Sequence, residues 1–349
     1  MKHGVGGLAV SVVMTVLVPA GRAPASASCT PVSIPVALAA GLPADQQVAG
    51  TLCAPPGSEG EALQILMSGV TYGREYWDYG FDPAAYSFVR FMNGQGLATL
   101  NVDRLGVGAS SHPPSVSLTV DSEAFVLDQL VRAARRGDLG RPWSRIVTTG
   151  HSTGSAIVSI HAARFADVGG VVLTGWLYSP KQYIANAAMT FYPAELDPRF
   201  RGRGFDAGYV TTRPGTRGAS FYNLDSADPA VIARDEATKE TMTDSEALSV
   251  LGKLYLGAAF PASSDSITAP VLIGTGERDG FFCGPPDGGD CTTPETVLRT
   301  ERRHYPRAAR LAAVVGRGAG HDLNLHPGAK EVFAGIARWV RSLDDGGAR

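Results

Sequence analysis

With 349 residues, 44% hydrophobic content and a formal net charge of -2, the chain is long enough to bury one large core or two modest ones. Lys+Arg at 31 balance Asp+Glu at 33. With no long basic run and no RNA-binding signature, the electrostatic footprint of a nucleic-acid partner is lacking, and none is expected.

At the start of the chain, Lys2 precedes an uncharged run "LAVSVVMTVLV" and then "PAGRAPASAS", which ends in small residues. This is the pattern of a secretory signal peptide, with cleavage after Ala27 or nearby, so residues 1–28 are assigned to a leader and the mature protein to the extracellular space. A membrane anchor is the alternative. The apolar run from Leu8 to Val18 is shorter than the roughly 20 residues that cross a hydrocarbon core, so no stable membrane span is expected. Lipid attachment at Cys29 is disfavoured, because Ser26 stands where a lipoprotein signal normally has Leu. Export gives the four cysteines a meaning as disulfides. Three connectivities are open, of which the two local pairings, Cys29 with Cys53 and Cys283 with Cys291, are the simplest. The C-x₂-C spacing of zinc sites is absent.

Beyond the leader, "QQVAGTLCAP" and "ALQILMSG" read as strands. "FDPAAYSFVRFMNGQG" reads as one helix, with Asp82 as N-cap, Pro83 at the first helical position, and Gly94 and Gly96 ending it. "LATLNVD" is the next strand. A helix follows over "DSEAFVLDQLVRAARRG", acidic at its start, basic at its end and stopped by Gly137. "RIVTTG" is a strand, "TGSAIVSIHAARFA" a helix, and "VGGVVLTG", "APVLIGTG" and "RLAAVVGR" are strands. The amphipathic helix "GAKEVFAGIARWVRSL" closes the series. Apolar strands alternating with helices predict an α/β fold with a mostly parallel central sheet and helices on both faces. From Trp176 to about Ser266 the rhythm breaks into aromatics, Pro, Arg and Gly, with helical patches at "DPAVIARDEATKE" and "DSEALSVLGKLYLG", and this interval reads as an insertion. No repeat or low-complexity segment is present.

One serine stands apart. In "RIVTTGHSTGSAIVSIHAARF" a strand runs into a helix through a sharp turn at Ser152, with Gly150 and Gly154 providing room. Such an elbow exposes the hydroxyl above the sheet's C-terminal edge and aims the Thr153 N–H at a developing oxyanion. The bare G-x-S-x-G pattern is weak, since with Gly at 42 of 349 positions and Ser near the average of about 7%, chance supplies about 0.4 matches. Its strand-to-helix setting makes it informative. A serine hydroxyl needs a base and the base an orienting carboxylate. Asp279 in "GERDG" and His321 in "GAGHDLNLH" follow predicted strands, giving Ser152, Asp279 and His321 at the ends of three successive core strands.

At this point the chain resembles the α/β-hydrolase superfamily, its secreted serine esterases and lipases above all, over nearly all of the mature residues. The resemblance implies the α/β-hydrolase fold over 29–349, with the segment at about 176–266 in the usual cap position. "LMSGVTYGREYWD" falls where relatives carry a His-Gly motif with the second oxyanion donor. Ser68-Gly69 here departs from it and leaves the Val70 N–H as the expected donor, with Thr71 as the alternative. "DRLGVGASSHP" resembles the family loop after the fourth strand.

The remaining polar candidates have blander assignments. Glu277 and Asp103 compete with Asp279 as the acid, Glu277 being expected to face solvent or a loop partner. Asp322 would have to curl back on its neighbour and is not assigned to the triad. His151 and His326 are expected to be packed or hydrogen-bonded. Arg199, Arg201 and Arg203 belong to a solvated loop. Thr71, Tyr72 and Trp176 are expected to contact substrate, although aromatics beside a strand end are more often core, as Tyr76 and Trp77 would be. Trp176 and Tyr183 are expected to govern chain-length preference.

These readings predict a serine hydrolase cleaving a small-molecule carboxylic ester through an acyl-enzyme, with no metal or organic cofactor. The alternatives are a thioesterase, lactonase or amidase acting on a natural-product acyl chain, and, in another class, a secreted binding protein that has kept the fold without catalysis. Acyl and alcohol preference reside in loops that the motifs do not constrain.

Overall fold

The computed structural model describes residue 1 and residues 27–58, 61–178, 180–181, 184, 189–256 and 264–343. Most of the expected leader lies outside the described residues, as does Tyr183.

Eleven described strands are β1 (Ser28–Val36), β2 (Gln46–Ala54), β3 (Leu63–Met67), β4 (Ala98–Val102), β5 (Ile146–His151), β6 (Gly170–Thr174), β7 (Phe191–Pro193), β8 (Tyr209–Thr212), β9 (Met242–Thr243), β10 (Val271–Gly276) and β11 (Leu311–Gly316). Eight of them form one sheet in the order β1-β2-β4-β3-β5-β6-β10-β11. The six strands from β4 to β11 in that order are mutually parallel, while β2 runs antiparallel to both its neighbours, β1 and β4. Every residue of β3, β4, β5, β6 and β10 is buried, as expected for strands covered on both faces, whereas the edge strand β11 is only partly so. β1 was not anticipated: its "SCTPVSIPV" carries two prolines, which cannot donate to a ladder and confine the strand to the sheet's edge. Cys29 and Cys53 face each other directly in the β1–β2 register and are joined by a disulfide.

The single helix expected after Phe81 is two, α1 (Pro83–Tyr86) and α2 (Phe88–Gly94). Ser87 breaks it. Its backbone is extended and its hydroxyl accepts from Arg90 N at 2.9 Å while donating to Asp78 Oδ1 at 2.7 Å, the local competition with helical bonding that serine favours. Asp82 precedes α1 at φ 39° and makes no side-chain cap. α3 (Val120–Arg136) begins with a capping box between Thr119 and Ser122 and ends at Gly137, whose φ of 92° suits glycine. It packs against α4 (Thr153–Phe165).

Among the described residues between β6 and β10 the chain builds a small antiparallel sheet, β7-β8-β9, and the helices α5 (Arg217–Phe221), α6 (Pro229–Thr238) and α7 (Asp244–Leu256). α6 and α7 coincide with the two helical patches expected there. A further helix, α8 (Pro294–Glu301), was not anticipated, although Thr293 and Thr296 form its capping box and Pro294 stands at its first position. α9 (Ala329–Ser342) returns over α2.

Candidate active site

Three loops converge at the C-terminal edge of the sheet, from β5, β10 and β11. β10 and β11 are neighbours, but β5 is not successive with them, because β6 lies between β5 and β10. β6 contributes a fixed point instead, as Thr174 O accepts from Ser152 N at 2.8 Å.

Ser152 sits at φ 53° and ψ -120°, a conformation that L-residues avoid and that the surrounding structure must impose. The turn is tight enough that a Cβ on Gly150 would lie 2.4 Å from the Gly154 backbone, and one on Gly154 would lie 2.2 Å from Met67 O. Only glycine fits at either flank. The Ser152 hydroxyl caps nothing in α4 and faces a cleft lined also by Val70 and Thr153.

His321 Nδ1 lies 3.0 Å from Asp279 Oδ2, and both side chains are buried. The other Asp279 oxygen accepts from Phe281 N at 2.9 Å, so the carboxylate is held at both ends. Its backbone is held too: Asp279 O accepts from Cys283 N at 2.8 Å, and Cys283 is joined to Cys291 across the following turn. His321 Nε2 is buried with no hydrogen-bond partner among the described residues, so the ring presents one uncommitted nitrogen. Burial alone would lower the His321 pKa, but the Asp279 charge and hydrogen bond outweigh it and raise the pKa above the ordinary value.

The competing carboxylates are engaged elsewhere. Asp103 pairs with Arg74 at 3.0 Å, and Glu277 accepts from Gly318 N at 2.9 Å. Asp322 turns away from its neighbour toward His151 Nε2, at 3.1 Å, and the Tyr72 hydroxyl. His151 also reaches Thr174 Oγ1 at 3.2 Å and stacks on Tyr76 with ring centroids 4.2 Å apart. Burial pushes its pKa well down, so it is a neutral, packed residue. His326 Nε2 accepts from the Asn223 and Gly320 amides, each at 3.1 Å, which staples the His321 loop in place.

The loop after β3 is braced from two sides. Arg104 donates to Ser68 O at 2.9 Å and Gly69 O at 3.1 Å and pairs with Glu246 at the start of α7. Arg217 of α5 donates to Thr71 Oγ1 at 2.8 Å and grips Asp235 of α6 through two bonds of 2.9 Å. Gly69 allows the loop to close on the serine, since a Cβ there would lie 3.0 Å from Ser152 Cβ. The backbone amides of Val70 and Thr153 carry no hydrogen bond among the described residues and border the same cleft as the serine.

That cleft is almost wholly apolar. Trp176, Phe191, Phe221, Phe281 and Phe282 form its walls. Ala247, Val250, Leu251 and Leu254 of α7, spaced at i, i+3, i+4 and i+7, present one helix face to it. Trp176 lines this cleft, whereas Thr71 and Tyr72 do not. Both are buried behind the cleft, Thr71 bonded to Arg217 and Tyr72 bonded to Asp235 at 2.8 Å and to Asp322. Arg199 pairs with Glu240 away from the cleft, and Arg201 and Arg203 are exposed, as a solvated loop requires.

Sequence reasoning named Tyr72, Asp322 and His151 singly but missed Arg217, Asp235 and the buried chain they complete, Arg217–Asp235–Tyr72–Asp322–His151, from the segment after β6 to the neighbours of Ser152 and His321. No local motif announces it, because its members lie far apart in sequence.

The sequence profile of the Alpha/beta hydrolase family matches residues 64–331, well over half of the chain. No curated protein matches the chain in sequence. Among solved structures, a thermophilic esterase from Thermogutta terrifontis superposes with TM-score 0.58 at 19% identity, covering 90% of this chain and 99% of its own. A putative aryl esterase from Burkholderia cenocepacia gives TM-score 0.55 at 14% identity over 90% of this chain and 100% of its own. An esterase from Pyrococcus furiosus gives 0.52 at 14% over 90% and 91%. At these identities the likeness is one of fold.

Proposed function

Because this chain belongs to the Alpha/beta hydrolase family, we propose that it is a secreted serine hydrolase cleaving carboxylic esters of apolar acids. The observation that carries this reading is the His321–Asp279 pair at 3.0 Å, set beside a strained Ser152 at the floor of an apolar cleft. Ser152 Oγ attacks the ester carbonyl while its proton passes to His321 Nε2, whose other nitrogen is held as a donor by Asp279. The carbonyl π electrons move to oxygen, and the Val70 and Thr153 amides stabilise that charge, Thr153 from the positive end of the α4 dipole. The tetrahedral species collapses, the alkoxide leaves with the proton from His321, and water repeats the sequence on the acyl-enzyme. No Ser152–His321 hydrogen bond is formed in the free protein, as is common before substrate closes the geometry.

An uncharged acyl chain suits walls made of Trp176, Phe221, Phe281 and the α7 stripe, which offer no charge partner inside the cleft. The segment after β6 then acts as a cap over the serine. The Cys29–Cys53 and Cys283–Cys291 disulfides support an oxidising compartment. Esters come first as test substrates, since several fold neighbours are described as esterases. The test is turnover of p-nitrophenyl esters of graded chain length together with fluorophosphonate labelling. Ser152→Ala should abolish both with little change in thermal midpoint, and retained turnover would remove Ser152 from the mechanism.

A further inference from the structure

Asp128, His161 and Asp167 lie far from the cleft, at the junction of α3, α4 and the loop leading into β6. Each directs one ligand atom inward, and these atoms lie within 4.8 Å of one another. His161 is fully buried, and neither of its ring nitrogens has a hydrogen-bond partner among the described residues. Oδ1 of Asp128, also buried, is equally without one, as is Oδ1 of Asp167. His161 Nε2 and Asp167 Oδ1 stand 3.5 Å apart, which is wide for a hydrogen bond and close to the separation of two ligands sharing one ion. A wholly buried imidazole with both nitrogens uncommitted is costly unless a partner enters.

We propose that these three side chains bind a divalent transition-metal ion, of the zinc or manganese class, as a structural site. An imidazole combined with two carboxylates favours those ions over magnesium and calcium, which take oxygen ligands. The second Asp128 oxygen is oriented by Arg132 Nε at 2.9 Å, the kind of outer bond that fixes a carboxylate ligand. Asp167, 21% exposed at its side chain, gives the ion an entry path and leaves room for water ligands. The ion would clamp α3 to α4. Since His161 lies nine positions beyond Ser152 in the same helix, about 13 Å along its axis, the ion takes no part in chemistry at the serine.

The experiment uses the full chain stripped with EDTA and titrated with Zn²⁺ or Mn²⁺ by calorimetry, with Co²⁺ absorption as a direct report on nitrogen and oxygen ligation. One ion per chain at micromolar or tighter affinity is expected, with Tm raised by about 5 °C at hundredfold excess over Kd. Both effects should be lost in Asp167→Asn, at the most exposed of the three side chains, and in His161→Gln. Absence of binding below about 100 µM by either ion, or equal binding by both variants, would overturn the assignment. None of these readouts depends on ester turnover, so the metal site and the hydrolase reading stand or fall separately.

Discussion

The parallel strands and the segment between β6 and β10 build the two halves of the candidate site by different means. On the sheet, position is set by the backbone: Ser152 at φ 53° between glycines with no room for a Cβ, and Asp279 pinned through both its carboxylate and its carbonyl. In the segment after β6, position is set by side chains, an apolar α7 stripe on one side and the buried Arg217–Asp235 pair on the other. The first half requires few residues in strict geometry. The second tolerates many apolar combinations but depends on charges with no water to replace a lost partner.

The largest effect should come from the sheet half. Asp279→Asn should lower kcat by about 10³ to 10⁴, by analogy with other triads. It should also move the pH profile. Asp279 raises the His321 pKa and the base must be neutral, so wild-type kcat/KM should rise with pH through a midpoint above about 6.5 and be lost as pH falls below it. Removing the aspartate charge should shift what activity remains toward lower pH. A wild-type profile flat from about pH 5 to 8, with chemistry limiting, would argue against His321 as the base.

Next comes the charged brace. Asp235→Ala strands Arg217 in a dry site and should cost about 3–5 kcal/mol in urea unfolding. The double change Arg217→Met/Asp235→Leu removes both members of the pair and should recover part of that stability. Its kcat should remain low, because Thr71 has lost its Arg217 donor. Full recovery of kcat would show the brace to be structural only, and the two halves independent.

A smaller effect is expected where the halves meet at the acid loop. For about nine residues, the Cys283–Cys291 closure contributes roughly 2.5 kcal/mol on the chain-entropy model, acting on the loop that carries Asp279. Cys283→Ser/Cys291→Ser should therefore lower kcat before near-UV circular dichroism reports unfolding, and full activity in the double variant would refute a positioning role.

The smallest effect on the chemical step is expected from Trp176→Ala and Leu251→Ala. Each should change the ratio of short-chain to long-chain ester rates on the order of tenfold. Unchanged ratios in both would mean that the cleft beside α7 does not hold the acyl chain.

The elements legible in the sequence were those whose cause is local. The buried strands announced themselves by apolar runs, α3 by its end charges and Gly137, and the Ser152 elbow by its flanking glycines. Asp279 and His321 could be placed because each follows a strand directly. Local reading failed where a residue's neighbours decided its state. Ser87 split one expected helix by bonding to Asp78, and β1 became a strand because β2 offered it an edge.

What the sequence by itself determined is thus the alternation of strands and helices, the elbow and the order of its partners, since all of these follow from residue type and spacing along the chain. Tertiary structure alone decided that Thr71 and Tyr72 stand behind the cleft rather than in it, that Asp322 serves His151 rather than His321, and that Asp128, His161 and Asp167 meet. The physical reason is that a buried polar group must find its partner in space. Spacing along one element predicts such a partner only when both lie on that element, and here the partners come from strands, helices and loops far apart in the chain.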